Sequence, residues 1–174
     1  AASGNYIIND LLDIKADRLH ARKRRRPFAS GALPIPAGVA LAAACIAAAI
    51  VFGLKSGALW LIALYAVLSL SYSLWLKTFP LADVFVLSGL YTLRLFAGGE
   101  ATGYRITFAL LGFSSFLFLS LALVKRVSEL LPLTDNTARR GYIPKDASML
   151  QLMGVVSGFT AVVVLAQFVQ TEAL

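Results

Sequence analysis

The chain has 174 residues, of which 59% are hydrophobic and only 14% are charged, and its formal net charge is +7. Soluble domains carry about a quarter charged residues, so this composition, with a mean hydropathy of +0.77, excludes an ordinary water-soluble protein. In an apolar chain we do not expect the basic residues to bind nucleic acid. The single cysteine, Cys45, indicates neither a disulfide framework nor a thiol site.

The first residues, AASGNYIINDLLD, contain neither a signal peptide nor a complete membrane span. We interpret residues 1–20 as the end of a helix whose beginning lies outside the chain, and VQTEAL follows a span directly. We therefore expect a fragment of a longer protein, truncated at both ends and inactive by itself.

The stretch NDLLDIKADRLHARKRRRPFASG places acidic residues directly before a run of bases. At about 100° per residue, a helix through it brings five polar side chains within an arc of about 100°. These are Asn9, Asp10, Asp13, Asp17 and His20. Three like charges on one helical face repel one another unless a cation lies between them. Mg²⁺, which is held by one or two carboxylates and by phosphate oxygens, is the natural cation.

The bases after these acids suit the same ligand. Arg18, Arg22 and Arg24 can form forked hydrogen bonds with phosphate oxygens. Metal and guanidinium together would stabilise a diphosphate as it leaves. For Arg25 and Arg26 the alternative is a topology signal beside a span, with some attraction to anionic lipid.

Five apolar runs approach the roughly 20 residues that cross a bilayer. They cover 35–54, 57–76, 81–99, 106–124 and 149–169. Backbone groups in lipid must be paired within the segment, so these spans are predicted to be helices. The predicted fold class is all-α: a polytopic transmembrane helix bundle forming one domain over 1–174.

Nearly all of the 16 Lys and Arg residues fall on one side of the membrane when the spans alternate. By the positive-inside rule that side is cytoplasmic, and the plasma membrane of a bacterium or archaeon is the expected location. Most acids lie on the same side, although topology requires only bases. This clustering predicts a polar site open to the cytoplasm. Asp83, which begins a span near Lys77, is either part of that site or a helix-start carboxylate.

NDxxDxxxD, spelled by Asn9, Asp10, Asp13 and Asp17, resembles the first aspartate-rich signature of the UbiA superfamily of intramembrane prenyltransferases. The resemblance continues through YSLWLKTFPLADVFVLSGLYTLRLFAGGEATG and LALVKRVSEL and covers nearly the whole chain. It implies a nine-helix fold of which this chain keeps five whole spans. It also implies a tunnel for a lipid tail, bound Mg²⁺ and a lipid diphosphate substrate.

By this resemblance Asp10, Asp13 and Asp17 would be the catalytic and metal-binding residues, and Asn9, Arg18, Arg22 and Lys23 would bind substrate with Lys77. Typical members carry a second motif of two aspartates, where this chain has Lys125, Arg126 and Glu129. We expect the two bases to hold phosphate oxygens and Glu129 to orient them or to help bind a metal, so that all three belong to the substrate site. A plain ion pair between Lys125 and Glu129 at i, i+4 is the alternative.

The KRxxE pattern and YTLRLFAGG resemble a branch of polyprenyl-phosphate phosphoribosyltransferases. The predicted function is Mg²⁺-dependent transfer of an isoprenyl group from its diphosphate to an acceptor at the cytoplasmic face. The alternative is phosphoribosyl transfer from phosphoribosyl diphosphate to polyprenyl phosphate. A non-catalytic bundle that binds anionic membrane lipid is the rival from another class. A transporter fits less well, because the ionisable groups do not gather near the bilayer midplane. The sequence does not predict an oligomeric state.

Overall fold

The computed structural model describes residues 2–19, 23–131 and 141–172, without the side chains of Ala16 and Glu172. All regular elements in these ranges are helical, which confirms the all-α class. The main helices are α1 (Ala2–Leu12), α2 (Ile14–Leu19), α3 (Pro27–Ser30), α4 (Ile35–Ser56), α5 (Leu59–Leu74), α6 (Ala82–Thr102), α7 (Phe108–Leu130) and α8 (Ala147–Glu172). Short 3-10 turns occupy Lys23–Arg25, Leu76–Thr78 and Pro144–Asp146.

Three helical stretches within the described ranges are long and apolar enough to cross a membrane. They are Ile35–Ser56, Phe108–Leu130 and Pro144–Thr171. Helix α5 is apolar but has only 16 residues, and α6 carries Asp83, Arg94 and Glu100 among its 21. Apolar side chains on the long helices, such as Phe52 and Phe159, are exposed. The chain is an integral membrane protein.

The chain divides into two compact units, Ala1–Leu70 and Ser71–Leu174. In the first unit α1 packs on α4, and α2 contacts α3. A Cβ on Gly4 would lie only 3.4 Å from side-chain atoms of Cys45 and Ile46. Because glycine adds no side chain there, α1 and α4 can approach closely, as small residues allow between membrane helices.

In the second unit α7 packs on both α6 and α8. Its buried core contains apolar residues from all three helices together with one tyrosine: Val84, Ala122, Leu123, Leu130, Tyr142 and Leu150. The hydroxyl of Ser120 on α7 donates a 2.8 Å hydrogen bond to the carbonyl oxygen of Gly154 on α8. Small residues and an interhelical hydrogen bond thus join this pair.

The acidic stretch differs from the predicted uninterrupted helix, because Asp13 lies in a turn between α1 and α2. Aspartate has a low helix propensity, so the interruption falls at a residue that favours it. Helical bonding nevertheless continues on both sides. The Asp13 N–H donates to the Asn9 carbonyl at 2.9 Å, and the Asp17 N–H donates to the Asp13 carbonyl at 2.8 Å.

Candidate functional site

Two of the predicted acids converge on one basic side chain in the first unit. A single terminal nitrogen of Arg26 donates to Asp10 Oδ1 at 2.8 Å and to Asp17 Oδ2 at 2.9 Å. The Asp17 side chain is 3% exposed, whereas those of Asp10 and Arg26 are 31% and 37% exposed. The two carboxylates therefore face one cationic group that remains open to solvent on one side.

A turn in the backbone before Pro27 brings the Arg26 side chain close to these acids. The Arg26 N–H donates to the Lys23 carbonyl at 2.9 Å and closes the 3-10 turn. Arg26 itself is extended, with φ −63° and ψ 148°, and Pro27 begins α3. A residue before proline is pushed toward the extended region, and proline suits the first helical position. Phe28 then packs over Gly38 of α4, where a Cβ would stand only 2.4 Å from the ring.

The other predicted residues of this stretch that the structure describes have contacts of their own. Asn9 Nδ2 donates to Asp13 Oδ2 at 3.2 Å, so Asp13 is paired with the amide and not with Arg26. Lys23 Nζ lies 3.9 Å from Asp17 Oδ1. Arg18 Nε donates to the Ala29 carbonyl at 3.1 Å and so joins α2 to α3. Arg22 and His20 lie outside the described residues.

Asp10 lies outside the predicted spans, and its pKa is raised above the ordinary value for an aspartate. Burial raises the pKa of its carboxyl, the Arg26 and Lys23 charges oppose this, and the charges of Asp17 and Asp13 raise the pKa further. A carboxylate in this condition gains from any additional cation placed beside it. The cluster has three carboxylates, those of Asp10, Asp13 and Asp17, and its described cations are Lys23 and Arg26.

Asp10 and Asp17 supply oxygen donors of the kind that Mg²⁺ prefers. No group of three or more His, Cys, Asp or Glu side chains among the described residues is arranged to hold a metal ion, so the predicted set of three aspartate ligands is not brought together. Mg²⁺ commonly uses only one or two carboxylates, with substrate phosphate oxygens and water completing the shell. Asp10 and Asp17 already converge on a single cationic nitrogen, so these two carboxylates are the ones that would hold the ion.

A second charged network lies buried in the second unit. Arg126 on α7 donates through one terminal nitrogen to Asp83 Oδ2 and through the other to Glu129 Oε2 at 2.6 Å. The hydroxyl of Tyr142 donates to Asp83 Oδ1 at 2.5 Å. The side chains of Arg126 and Asp83 are 2% and 0% exposed. The Tyr142 ring also lies under the Arg126 guanidinium, at 5.6 Å.

The segments around this network have unusual backbone geometry. Leu81 has φ +63°, which is strained for a side chain other than glycine, and its N–H donates to the Tyr142 hydroxyl at 2.6 Å. Gly141 has φ +77°, and a Cβ there would lie 2.8 Å from the ring of Pro80. Tyr142 therefore fixes the turn before α6 against the segment that precedes α8.

These contacts bear on the predicted second motif. Glu129 pairs with Arg126 at i, i+3, a different base from the Lys125 of the ion-pair alternative. Both terminal nitrogens of Arg126 are held by carboxylates, while its Nε is buried with no hydrogen-bond partner among the described atoms. Lys125 is exposed and Lys77 is half-buried, so phosphate binding by these two lysines stays a prediction. Asp83 belongs to a buried network and does more than begin a helix.

An apolar groove runs between α6 and α7, with a volume of about 520 Å³. Phenylalanine and leucine side chains dominate its walls, with three hydroxyl groups among them. The residues are Phe85, Ser88, Gly89, Thr92, Leu93, Phe96, Leu111, Ser115, Phe116 and Leu119. This groove has the composition of a site for an apolar chain.

Arg26 and Tyr142 are the residues that sequence reasoning missed. Arg26 stands in a basic run that is also typical of a topology signal, and only its position before Pro27 distinguishes it. Tyr142 follows a polar stretch of sequence, in which a single tyrosine forms no pattern that predicts a role. A buried acid such as Asp83 in a membrane protein, however, signals that a partner must exist.

The sequence matches the model of the UbiA prenyltransferase family over residues 1–167. This chain belongs to the UbiA family. It is 39% identical over 99% of its length to nodulation protein NoeC of Azorhizobium caulinodans. It is 35% identical over 75% of its length to decaprenyl-phosphate phosphoribosyltransferase of Corynebacterium glutamicum. The uncharacterized protein y4nM of Sinorhizobium fredii is 35% identical over 98% of the chain.

The matched regions cover only part of these relatives: 58% of NoeC, 40% of the Corynebacterium protein and 34% of y4nM. The family and its helical fold are thereby established for this chain.

Proposed function

We propose that the protein containing this chain is an Mg²⁺-dependent transferase that uses a diphosphate donor and a lipid substrate at the cytoplasmic face of the membrane. The observation that carries this proposal is the convergence of Asp10 and Asp17 on one cation, with Lys23 beside them. Carboxylates for Mg²⁺ and basic groups for phosphate oxygens are the two components that a leaving diphosphate requires. A bundle that only binds anionic lipid has no need of the acids.

Each group has a role in this proposal. Bound Mg²⁺ would neutralise the charge that develops on the leaving diphosphate. Asp10 and Asp17 hold the ion, while Asp13 and Asn9 support the same helical face. Lys23 and Arg26 bind phosphate oxygens. Considered within the second unit alone, the groove between α6 and α7 has the composition to hold an isoprenoid chain.

Transfer of a phosphoribosyl group to polyprenyl phosphate is the reaction we favour. In this reaction the bond between the anomeric carbon and the diphosphate breaks, and an oxygen of the lipid phosphate bonds to that carbon. Relatives named decaprenyl-phosphate phosphoribosyltransferase, 33–35% identical to this chain, support it. The second motif offers limited support: the exposed Lys125 lies where typical members have two aspartates, while Arg126 is buried and held by Asp83 and Glu129. Isoprenyl transfer from an isoprenyl diphosphate is the second candidate, supported by the family itself.

One assay separates these reactions. The full-length protein in membranes receives Mg²⁺ with either labelled phosphoribosyl diphosphate and polyprenyl phosphate or labelled isoprenyl diphosphate and candidate acceptors. We expect the phosphoribosyl label to enter the lipid fraction. Incorporation of only the isoprenyl label would instead establish the second candidate.

Variants test the residues. Asp10→Asn and Asp17→Asn should each lower the rate about a hundred-fold or more. The control Glu100→Gln, at an exposed acid near the C-terminal end of α6, should retain the rate. Full turnover in both aspartate variants would refute the proposed site.

A further inference from the structure

The position of Arg26 adds a regulatory property to this site. Its guanidinium lies where Asp10 and Asp17 converge, which is where the proposed metal ion would also bind. We propose that Arg26 is an internal counter-ion that competes with Mg²⁺ for these carboxylates and turns to the diphosphate when it binds. Metal and diphosphate then bind cooperatively, and the site resists metal alone. This inference rests on the proposed function.

The local charges support competition. The described charged groups of the cluster are the carboxylates of Asp10, Asp13 and Asp17 and the cations Lys23 and Arg26. Together they carry about one negative charge, so a divalent cation alone would leave the cluster positive with a guanidinium beside the metal. An arriving diphosphate reverses that sign and offers Arg26 new acceptors for forked hydrogen bonds. Positive cooperativity follows because each ligand removes the cost of binding the other.

The local structure allows the side chain to move while its backbone stays fixed. Arg26 precedes Pro27, and its N–H is bonded to the Lys23 carbonyl. Phe28 anchors α3 over Gly38. The Arg26 side chain is more than one-third exposed, whereas that of Asp17 is almost fully buried. The guanidinium can therefore leave the carboxylates on its solvent side without unfolding the turn.

Metal-binding measurements test the inference independently of activity. Calorimetry of the full-length protein in lipid nanodiscs gives the Mg²⁺ affinity with and without inorganic pyrophosphate, at buffered free Mg²⁺. For the unmodified protein, pyrophosphate should tighten Mg²⁺ binding about ten-fold or more. Arg26→Gln should bind Mg²⁺ alone about ten-fold more tightly and should lose most of the pyrophosphate effect. Arg25→Gln, an exposed neighbour in the same basic run, should behave like the unmodified protein.

The outcomes distinguish this inference from the proposed function. Unchanged Mg²⁺ affinity and unchanged pyrophosphate coupling in Arg26→Gln would overturn the inference, while loss of metal binding in Asp10→Asn would leave the proposed site standing. If Asp10→Asn binds Mg²⁺ as tightly as the unmodified protein, the proposed metal site itself is wrong. Arg26→Lys, which retains the charge, should keep coupling of the same sign. Weaker metal binding with a lower melting temperature in both Arg26 variants would make Arg26 a structural bridge and overturn the inference.

Discussion

Removal of a single oxygen atom tests whether the buried network of the second unit stabilises the fold. Tyr142→Phe keeps the ring under Arg126 but removes the hydroxyl that donates to Asp83 and accepts from the Leu81 N–H. A hydrogen bond to a charged group contributes about 1.5–3 kcal/mol, and an unsatisfied buried N–H costs about 1–3 kcal/mol. Because Asp83 keeps its bond to Arg126, we expect a net loss of about 2–4 kcal/mol in the free energy of unfolding.

Equilibrium unfolding in detergent micelles measures this loss. Tyr104→Phe, whose ring is 78% exposed, is the matched control and should change stability by less than about 0.5 kcal/mol. If Tyr142→Phe also falls below that value, the network does not contribute as the contacts indicate.

The same residue predicts an alkaline response. Burial, then the hydrogen bond to Asp83 and its charge, raise the pKa of Tyr142 from 10.0 to about 12, although the Leu81 N–H and Arg126 oppose this rise. Folding thus favours the protonated hydroxyl. The corresponding stability is fully present below pH 10.0 and is lost as the pH rises through about 12. The difference between the unmodified protein and Tyr142→Phe should therefore shrink across that window, and a constant difference would contradict the assigned hydrogen bond.

Two further substitutions test the packing around each polar cluster. Asp83→Asn leaves the buried Arg126 charge with Glu129 as its remaining carboxylate, and should lower the free energy of unfolding by about 3 kcal/mol or more. The control is Asp146→Asn, at a half-buried acid that accepts a hydrogen bond from the Ile143 N–H. Equal losses in the two variants would argue against a stabilising role of the buried Asp83–Arg126 pair. Gly38→Ala would place a Cβ against the Phe28 ring and should cost about 1–3 kcal/mol. Gly89→Ala, which meets no atom within 4 Å, should be neutral or stabilising, and a neutral Gly38→Ala would show that Phe28 can move.

The membrane fold could be predicted from sequence because it depends on local composition. Apolar runs of about 20 residues must pair their backbone groups internally, so hydropathy alone predicts the helices. Helix ends were less predictable. Predicted span 57–76 corresponds to α5, which ends at Leu74 and is followed by a 3-10 turn at Leu76–Thr78. Helix α6 corresponds to the predicted span 81–99, but it is less apolar than α4, α7 and α8 and is not among the helices apolar enough to cross a membrane.

The acidic face could also be predicted, because helical period places residues at i, i+3 and i+7 together. In the structure Asp10 and Asp17 share one face, as the helical period predicted, and both contact Arg26. Asp13 instead pairs with Asn9. The sequence alone does not distinguish Arg26 from its basic neighbours as the partner of these acids. Its bonds reach back 16 residues to Asp10 and 9 to Asp17, and they depend on a turn before Pro27.

By itself, the sequence determined the membrane character, the helical class, the family signature and the acids that share one face, since each follows from composition or from a fixed helical period. Only the tertiary structure decided which charges meet. Asp83 bonds Arg126 across 43 residues and Tyr142 across 59, and no short-range pattern encodes such separations. A buried carboxylate must find a partner, but the packing of α6, α7 and the segment before α8 selects that partner.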